Sequence, residues 1–236
     1  MARRAFKRLL ENPDETEHVF VVIRALSGRS FERLMRRIRK DPMGAQIIRE
    51  RRNLMPLLTN REYLLGLPQE TLGHEYCRFT LAEQISAEGL ANASLVMGEA
   101  DVSSLESEDL DAQAFGERLR DMHDLWHVVT GYSRDVLGEL ALLAFTYEQT
   151  RERGIGYIVR NVERRMSKGD AQDVGEFLRE ASARGRGAAL LPAADWEALL
   201  ERPLDEVRTA LRVGPLPEYE QRRTPSGEAA AAAASV

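Results

Sequence analysis

Residues 115–147 read FGERLRDMHDLWHVVTGYSRDVLGELALLAFTY, and the reading of this stretch decides the fold class. Phe115, Leu119, Met122, Leu125, Trp126 and Val129 recur at steps of three and four, the period of an amphipathic α-helix. Leu137 to Tyr147 is then apolar almost all round after Gly138-Glu139. A helix of that character is buried or faces a lipid-like ligand, and it is too short to span a bilayer. Between the two segments stands Gly131-Tyr132-Ser133-Arg134, where the chain can turn.

The same spacing recurs outward from this stretch. Phe31, Leu34, Met35 and Ile38 mark a helix whose other face holds Arg33, Arg36, Arg37, Arg39 and Lys40; Asp41-Pro42 stops it. A short helix is expected over Ile47–Leu58. Leu67 to Gly73 is a turn leading into a helix that carries Tyr76, Phe79 and Leu81. Further helices are expected over Tyr157–Met166, Asp173–Ala183, Asp195–Leu200 and Pro203–Arg212. Glu17–Leu26 reads as a buried helix or a short strand, and the acidic residues 98–111 as an exposed loop. Ala, Leu, Arg and Glu, all good helix formers, dominate the composition. The expectation is an all-α protein: one compact helical domain over residues 1–213, then a strap that passes into a disordered Ala-rich tail over 214–236.

Hydrophobic residues at 43% and charged residues at 30% are ordinary for a soluble globular chain. The net charge of −5 argues against general nucleic-acid binding, which needs a broad basic footprint. The start is locally basic: Arg3, Arg4, Lys7 and Arg8 stand beside Phe6, Leu9 and Leu10. It is either a solvated terminus or a contact for an anionic membrane surface. Cys77 is the single cysteine, so no internal disulfide forms and a reducing compartment is the simpler reading. No apolar secretory core follows the start, and no stretch reaches the roughly 18 apolar residues of a membrane span. The chain reads as soluble or peripheral. Lysine stands only at Lys7, Lys40 and Lys168, against abundant Arg and Ala; this GC-rich usage points to a bacterial cytoplasm.

Of His18, His74, His123 and His127, the last two fall four residues apart on the central helix. Such positions share a helix face, so both imidazoles can reach one metal ion, as in HExxH zinc sites. Asp124 borders the same patch. Glu139 lies twelve residues beyond His127; in a straight helix it would be turned by about 120° and raised by about 18 Å. It can join the same ion only if the chain breaks near Gly131. A carboxylate on the apolar helix is costly unless partnered, and a metal removes that cost. The plain alternative is a histidine pair at chance spacing. His18 and His74 read as ordinary histidines. A metalloprotease is disfavoured because Asp124 stands where that chemistry needs a longer glutamate base.

His123-Asp124-Leu125-Trp126-His127, eleven residues and then Glu139 resembles the HDxxH-x11-E motif of the Coq-four family of ubiquinone biosynthesis proteins. Leu67-Pro68, Thr71-Leu72-Gly73, Tyr76 and Phe79 resemble that family's LPxxTxGxxYxxF segment. Gly131-Tyr132 and the helix from Leu140 to Tyr147 are similar to the stretch after its metal motif. Trp196, Leu199-Leu200, Pro203-Leu204 and Val207-Arg208 resemble its C-terminal pattern. The resemblance covers residues 15–213.

It implies an all-α fold and a divalent metal, usually zinc, held by His123, Asp124, His127 and Glu139. It further implies a polyprenyl quinone precursor lipid as ligand, a peripheral membrane location, a homodimer, and partnership with other coenzyme Q biosynthesis proteins. The activity it implies is loss of the ring carboxylate of a polyprenylated hydroxybenzoate, with hydroxylation at the same carbon. Two histidines with carboxylates also suit Fe(II). Arg134 either pairs with the substrate carboxylate or makes a salt bridge at a helix end. The competing expectation is a non-catalytic lipid-binding scaffold within a coenzyme Q biosynthesis complex.

Overall fold

A computed structural model describes residues 23, 26–83, 85, 110–166 and 172–220. The basic start, His18, most of Glu17–Leu26, residues 98–109 and the tail beyond residue 220 lie outside these residues. All regular structure described is helical. The helices are α1 (Ser30–Ile38), α2 (Pro42–Glu50), α3 (Met55–Leu58), α4 (Arg61–Gly66), α5 (Leu72–Ala82), α6 (Leu110–Asp121) and α7 (His123–Thr130). There follow α8 (Val136–Thr150), α9 (Arg153–Met166), α10 (Gln172–Gly187), a 3-10 turn (Leu191–Ala193), α11 (Trp196–Leu199) and α12 (Leu204–Leu211). The one β-type pairing among the described residues is an isolated antiparallel bridge, Thr71 to Pro203.

Several expectations need correction. The central helix is two: α6 ends at Asp121, and Met122, with ψ near −2°, opens the turn before α7 starts at His123. Nothing in the residue types announces that break. Ile47–Leu58 is not one helix. Asp41 accepts the Gly44 N–H at 2.9 Å, and Pro42 occupies the first turn, where its missing N–H costs nothing. The pair that stops α1 therefore also starts α2, which ends at a left-handed Arg51. Helix α4 was not expected; Asn60 caps it by accepting the Tyr63 N–H at 3.0 Å.

Helix α8 is the centre of the larger core. Leu137, Ala141, Leu142, Ala144 and Phe145 are buried, and the helix packs on α10 and α9. The buried Gln149 ties this layer together: its amide donates to Gly185 O at 2.7 Å, and its oxygen accepts the Leu191 N–H at 2.9 Å. A smaller core joins Leu34, Met35 and Ile38 of α1 to Ile47 and Ile48 of α2 and Phe115 of α6. Helix α7 sits against α5 and α12. The start of α5 is fixed from the C-terminal part of the chain: Leu72 N–H donates to Arg202 O at 2.9 Å and Gly73 N–H to Leu200 O at 2.8 Å. Those first-turn amides have no partner inside their own helix. Cys77 is a buried free thiol whose pKa burial raises.

Candidate metal centre

Helix α7 ends where the sequence reading requires it. Gly131 caps it at φ +77°, a left-handed conformation that costs a residue with a Cβ about 1–2 kcal/mol. A Cβ there would also meet Leu216 at 2.6 Å. After a short turn, Asp135 starts α8 by accepting the N–H groups of Leu137 and Gly138 at 3.1 and 3.4 Å. Gly138 permits this tightness, since a Cβ would stand 2.1 Å from Ser133 O and 2.6 Å from the Tyr219 hydroxyl. The chain has then reversed enough to bring Glu139 back onto the face of α7 that carries the histidines.

Donor atoms of His123, Asp124 and His127 lie within 4.8 Å of one another. The two imidazole Nε2 atoms are 3.3 Å apart. From α8, Glu139 Oε1 stands 3.5 Å from His127 Nε2 and Oε2 stands 3.8 Å from His123 Nε2. Asp124 and His127 are buried. His123 and Glu139 keep 36% and 33% of their side chains exposed, so the site opens on one side. Glu139 is thus less enclosed than the apolar run around it suggested. His74, in the first turn of α5, is not part of the cluster.

The tautomer of His127 follows from its partner. Tyr132 O can only accept, so His127 Nδ1, 2.8 Å away, carries the proton. Nε2 of the neutral ring is then a lone pair aimed at the cluster. The His123 Nε2 atom 3.3 Å away must then carry a proton toward it, or a cation must lie between the two. The donor set of two imidazoles and two carboxylates fits a divalent cation such as zinc or Fe(II).

Without a cation the charges compensate one another. Burial pushes the Glu139 carboxyl up, but His127, His123 and Arg134 outweigh it and hold the group at about 2. Burial and the neighbouring His127 push His123 down. Burial also opposes charge on His127, yet Glu139 and the Tyr132 carbonyl carry it upward.

Arg134 borders the cluster, with its Nε 3.6 Å from Glu139 Oε1 and a third of its side chain exposed. Sequence reasoning gave no site role to several other residues. Phe79 of α5 stacks on His127 with ring centroids 5.7 Å apart. Arg208 Nη2 and Nε donate to Val128 O and Val129 O at 3.1 and 3.3 Å. Arg184 Nη2 donates to Thr130 O at 2.8 Å. Two guanidinium groups therefore serve the last carbonyls of α7, where the helix dipole favours positive charge. Tyr219, in the strap after α12, bonds the Ser133–Asp135 turn. Phe79 and Arg208 stand inside the resembling segments; Arg184 and Tyr219 carry no local signal.

Known proteins resemble the chain along most of its length. A rat protein described as ubiquinone biosynthesis protein COQ4 homolog, mitochondrial, is 27% identical over 216 residues, which are 90% of this chain and 76% of the relative. The mitochondrial ubiquinone biosynthesis protein COQ4 of Arthroderma otae is 28% identical over 183 residues, 78% of this chain. The chain spans 64% of that fungal relative's length. A crystal structure described as a ubiquinone biosynthesis protein from Nostoc punctiforme superposes with a TM-score of 0.63 at 21% identity, over 91% of this chain and 97% of that one. The likeness there is one of fold. A profile of the coenzyme Q (ubiquinone) biosynthesis protein Coq4 family matches residues 2–217, and the chain belongs to that family.

Proposed function

We propose that this ubiquinone biosynthesis protein is a metal-dependent decarboxylase of a polyprenylated hydroxybenzoate: the ring carboxylate leaves as carbon dioxide and a proton takes its place or, in the oxidative form with dioxygen as oxidant reduced to hydrogen peroxide, a hydroxyl does. One observation carries the reading: donor atoms of His123, Asp124 and His127 cluster within 4.8 Å on α7, and Glu139 of α8 faces the two imidazoles at 3.5 and 3.8 Å. His123, Asp124, His127 and Glu139 would hold a divalent cation, zinc or Fe(II), whose positive charge would favour a ring phenolate or carboxylate and the charge that develops on the ring. His127 is oriented for this by Tyr132 O, and its ring is backed by Phe79. The Phe79 ring gives a flat apolar wall for an aromatic head group. Arg134 offers a guanidinium at the open side for the substrate carboxylate.

The polyprenyl tail places the working protein at a membrane surface. Among the described residues no helix is long and apolar enough to cross one, which favours peripheral attachment. We place it on the inner face of a bacterial cytoplasmic membrane, as a homodimer beside other coenzyme Q biosynthesis proteins.

The test is to purify the full chain anaerobically, measure its metal content and assay it on a polyprenyl-hydroxybenzoate with and without dioxygen. The wild type should hold one equivalent of metal and release carbon dioxide. His123→Ala and Glu139→Ala should lose metal and turnover together and keep most of the fold, because a core of this size does not depend on one ion. Stoichiometric metal without turnover would leave the lipid-binding scaffold as the better account. Absence of metal from the wild type would end the metal reading.

A further inference from the structure

Tyr219 lies far along the chain from the cluster and offers it no donor atom, yet its hydroxyl is built into the turn between the two ligand-bearing helices. The oxygen accepts the Ser133 N–H at 2.8 Å. Its proton goes to Asp135 Oδ2 at 2.9 Å. Asp135 uses its other oxygen to start α8, so the phenol and the first turn of α8 share one carboxylate. The hydroxyl also lies against Gly138, the residue before Glu139, where even a Cβ would be 2.6 Å from it.

The ring of Tyr219 touches the other arm of the site. It packs on Phe177 with centroids 4.7 Å apart. Phe177 in turn meets Tyr132 edge-on at 5.7 Å, and Tyr132 O is the acceptor that orients His127. Packing alone would need only a phenylalanine here. The hydroxyl is what bonds the turn, and both its donor and its acceptor function are used.

We propose that the Tyr219 hydroxyl is a positioning group for the Glu139 arm of the metal centre, fixing the Ser133–Asp135 turn so that Glu139 meets the two imidazoles. This rests on the metal reading of the cluster. Groups that orient metal ligands without touching the metal typically change affinity by about 10–100-fold when removed. Acting through Glu139, Tyr219 should lose its effect once the Glu139 carboxylate is gone.

The experiment compares wild type, Tyr219→Phe, Glu139→Gln and the double variant, each as the full chain. Zinc affinity is measured by competition with a chromophoric chelator, and the cobalt(II)-loaded forms are compared by visible absorption. Tyr219→Phe should bind zinc about 10–100-fold more weakly, with its cobalt spectrum displaced toward that of Glu139→Gln. In the Glu139→Gln background the same change should have little further effect, the non-additivity of two residues acting as one unit. Unchanged affinity and spectrum, or full additivity, overturns the inference and leaves the metal reading standing. A wild type that binds neither metal overturns both. If Tyr219→Phe does not fold, Asp135→Asn takes its place. Its amide oxygen still caps α8, while the anionic acceptor for the phenol is lost. It should weaken zinc binding and shift the cobalt spectrum in the same direction, and unchanged values sink the inference equally.

Discussion

His127 is held on three sides. Tyr132 O takes its Nδ1 proton, Phe79 stacks on its ring, and His123 and Glu139 face its Nε2. Such a ring has one tautomer and one orientation, which is what a ligand position requires. Tyr219 is held comparably well. Burial raises its pKa first and Asp135 adds to this, with Ser133 opposing, to about 12. An unfolded tyrosine ionises near 10. The fold thus favours the neutral phenol, and the unfolded chain loses its proton first as pH rises. The stability this group contributes is fully present below about pH 10 and fades as pH climbs toward 12. A tyrosinate absorbance titration of wild type against Tyr219→Phe should show one phenol missing from the late, near-12 part of the curve. If the missing phenol titrates near 10 instead, Tyr219 is not held buried against Asp135 in solution.

At the scale of elements, α7 is short, and its last carbonyls are served by side chains from elsewhere. Arg208 comes from α12 and Arg184 from α10. Hydrogen bonds from charged donors are worth about 1.5–3 kcal/mol each when a buried acceptor depends on them. Arg208 keeps 19% of its side chain exposed, so water can replace part of what its two bonds supply, and Arg208→Ala should destabilise the metal-free protein by about 1.5–3 kcal/mol in total, read from urea unfolding. Arg208→Lys should recover only part of this, because a single ammonium cannot reproduce the two-pronged fork. An unaltered urea midpoint in Arg208→Ala would mean that water serves those carbonyls equally well. At the same end the break between α7 and α8 rests on two glycines, Gly131 for its left-handed φ and Gly138 for the approach of Ser133 and Tyr219.

At the scale of the molecule, the smaller core and the C-terminal helices are joined by Arg118. Its side chain is 1% exposed, and it makes a two-pronged pair with Glu197, both contacts at 2.7 Å. It also donates to Arg52 O at 3.3 Å. Removing one member of such a pair strands a buried charge, at a cost of about 3–5 kcal/mol. Glu197→Ala should fall at the lower end, since Glu197 keeps 23% exposure. For a chain of this length about 3 kcal/mol corresponds to a drop of roughly 6–12 °C in Tm. Replacing both partners by methionine should restore most of the loss. A Tm unchanged in Glu197→Ala would show the pair to be dispensable.

The helical class was legible because periodicity is a local property: which residues recur at three and four depends on positions within two turns of one another. For the same reason His123 and His127 could be placed on one face, and Gly131 marked as the point where α7 must end for Glu139 to return. The HDxxH-x11-E spacing and its companion segments also carried the family. Boundaries were less legible. The break at Met122 and the helix Arg61–Gly66 have no strong local signal, and Asp41-Pro42 served as a start as well as a stop. What only the tertiary structure decided is how the site is supported. Tyr219 meets Ser133 and Asp135 across separations of 86 and 84 residues, and Arg208 reaches α7 across 79 and 80. No spacing rule spans such distances. Those contacts exist because α12 packs on α7 and α5, which brings the end of the chain back over the turn between the two helices that carry the cluster.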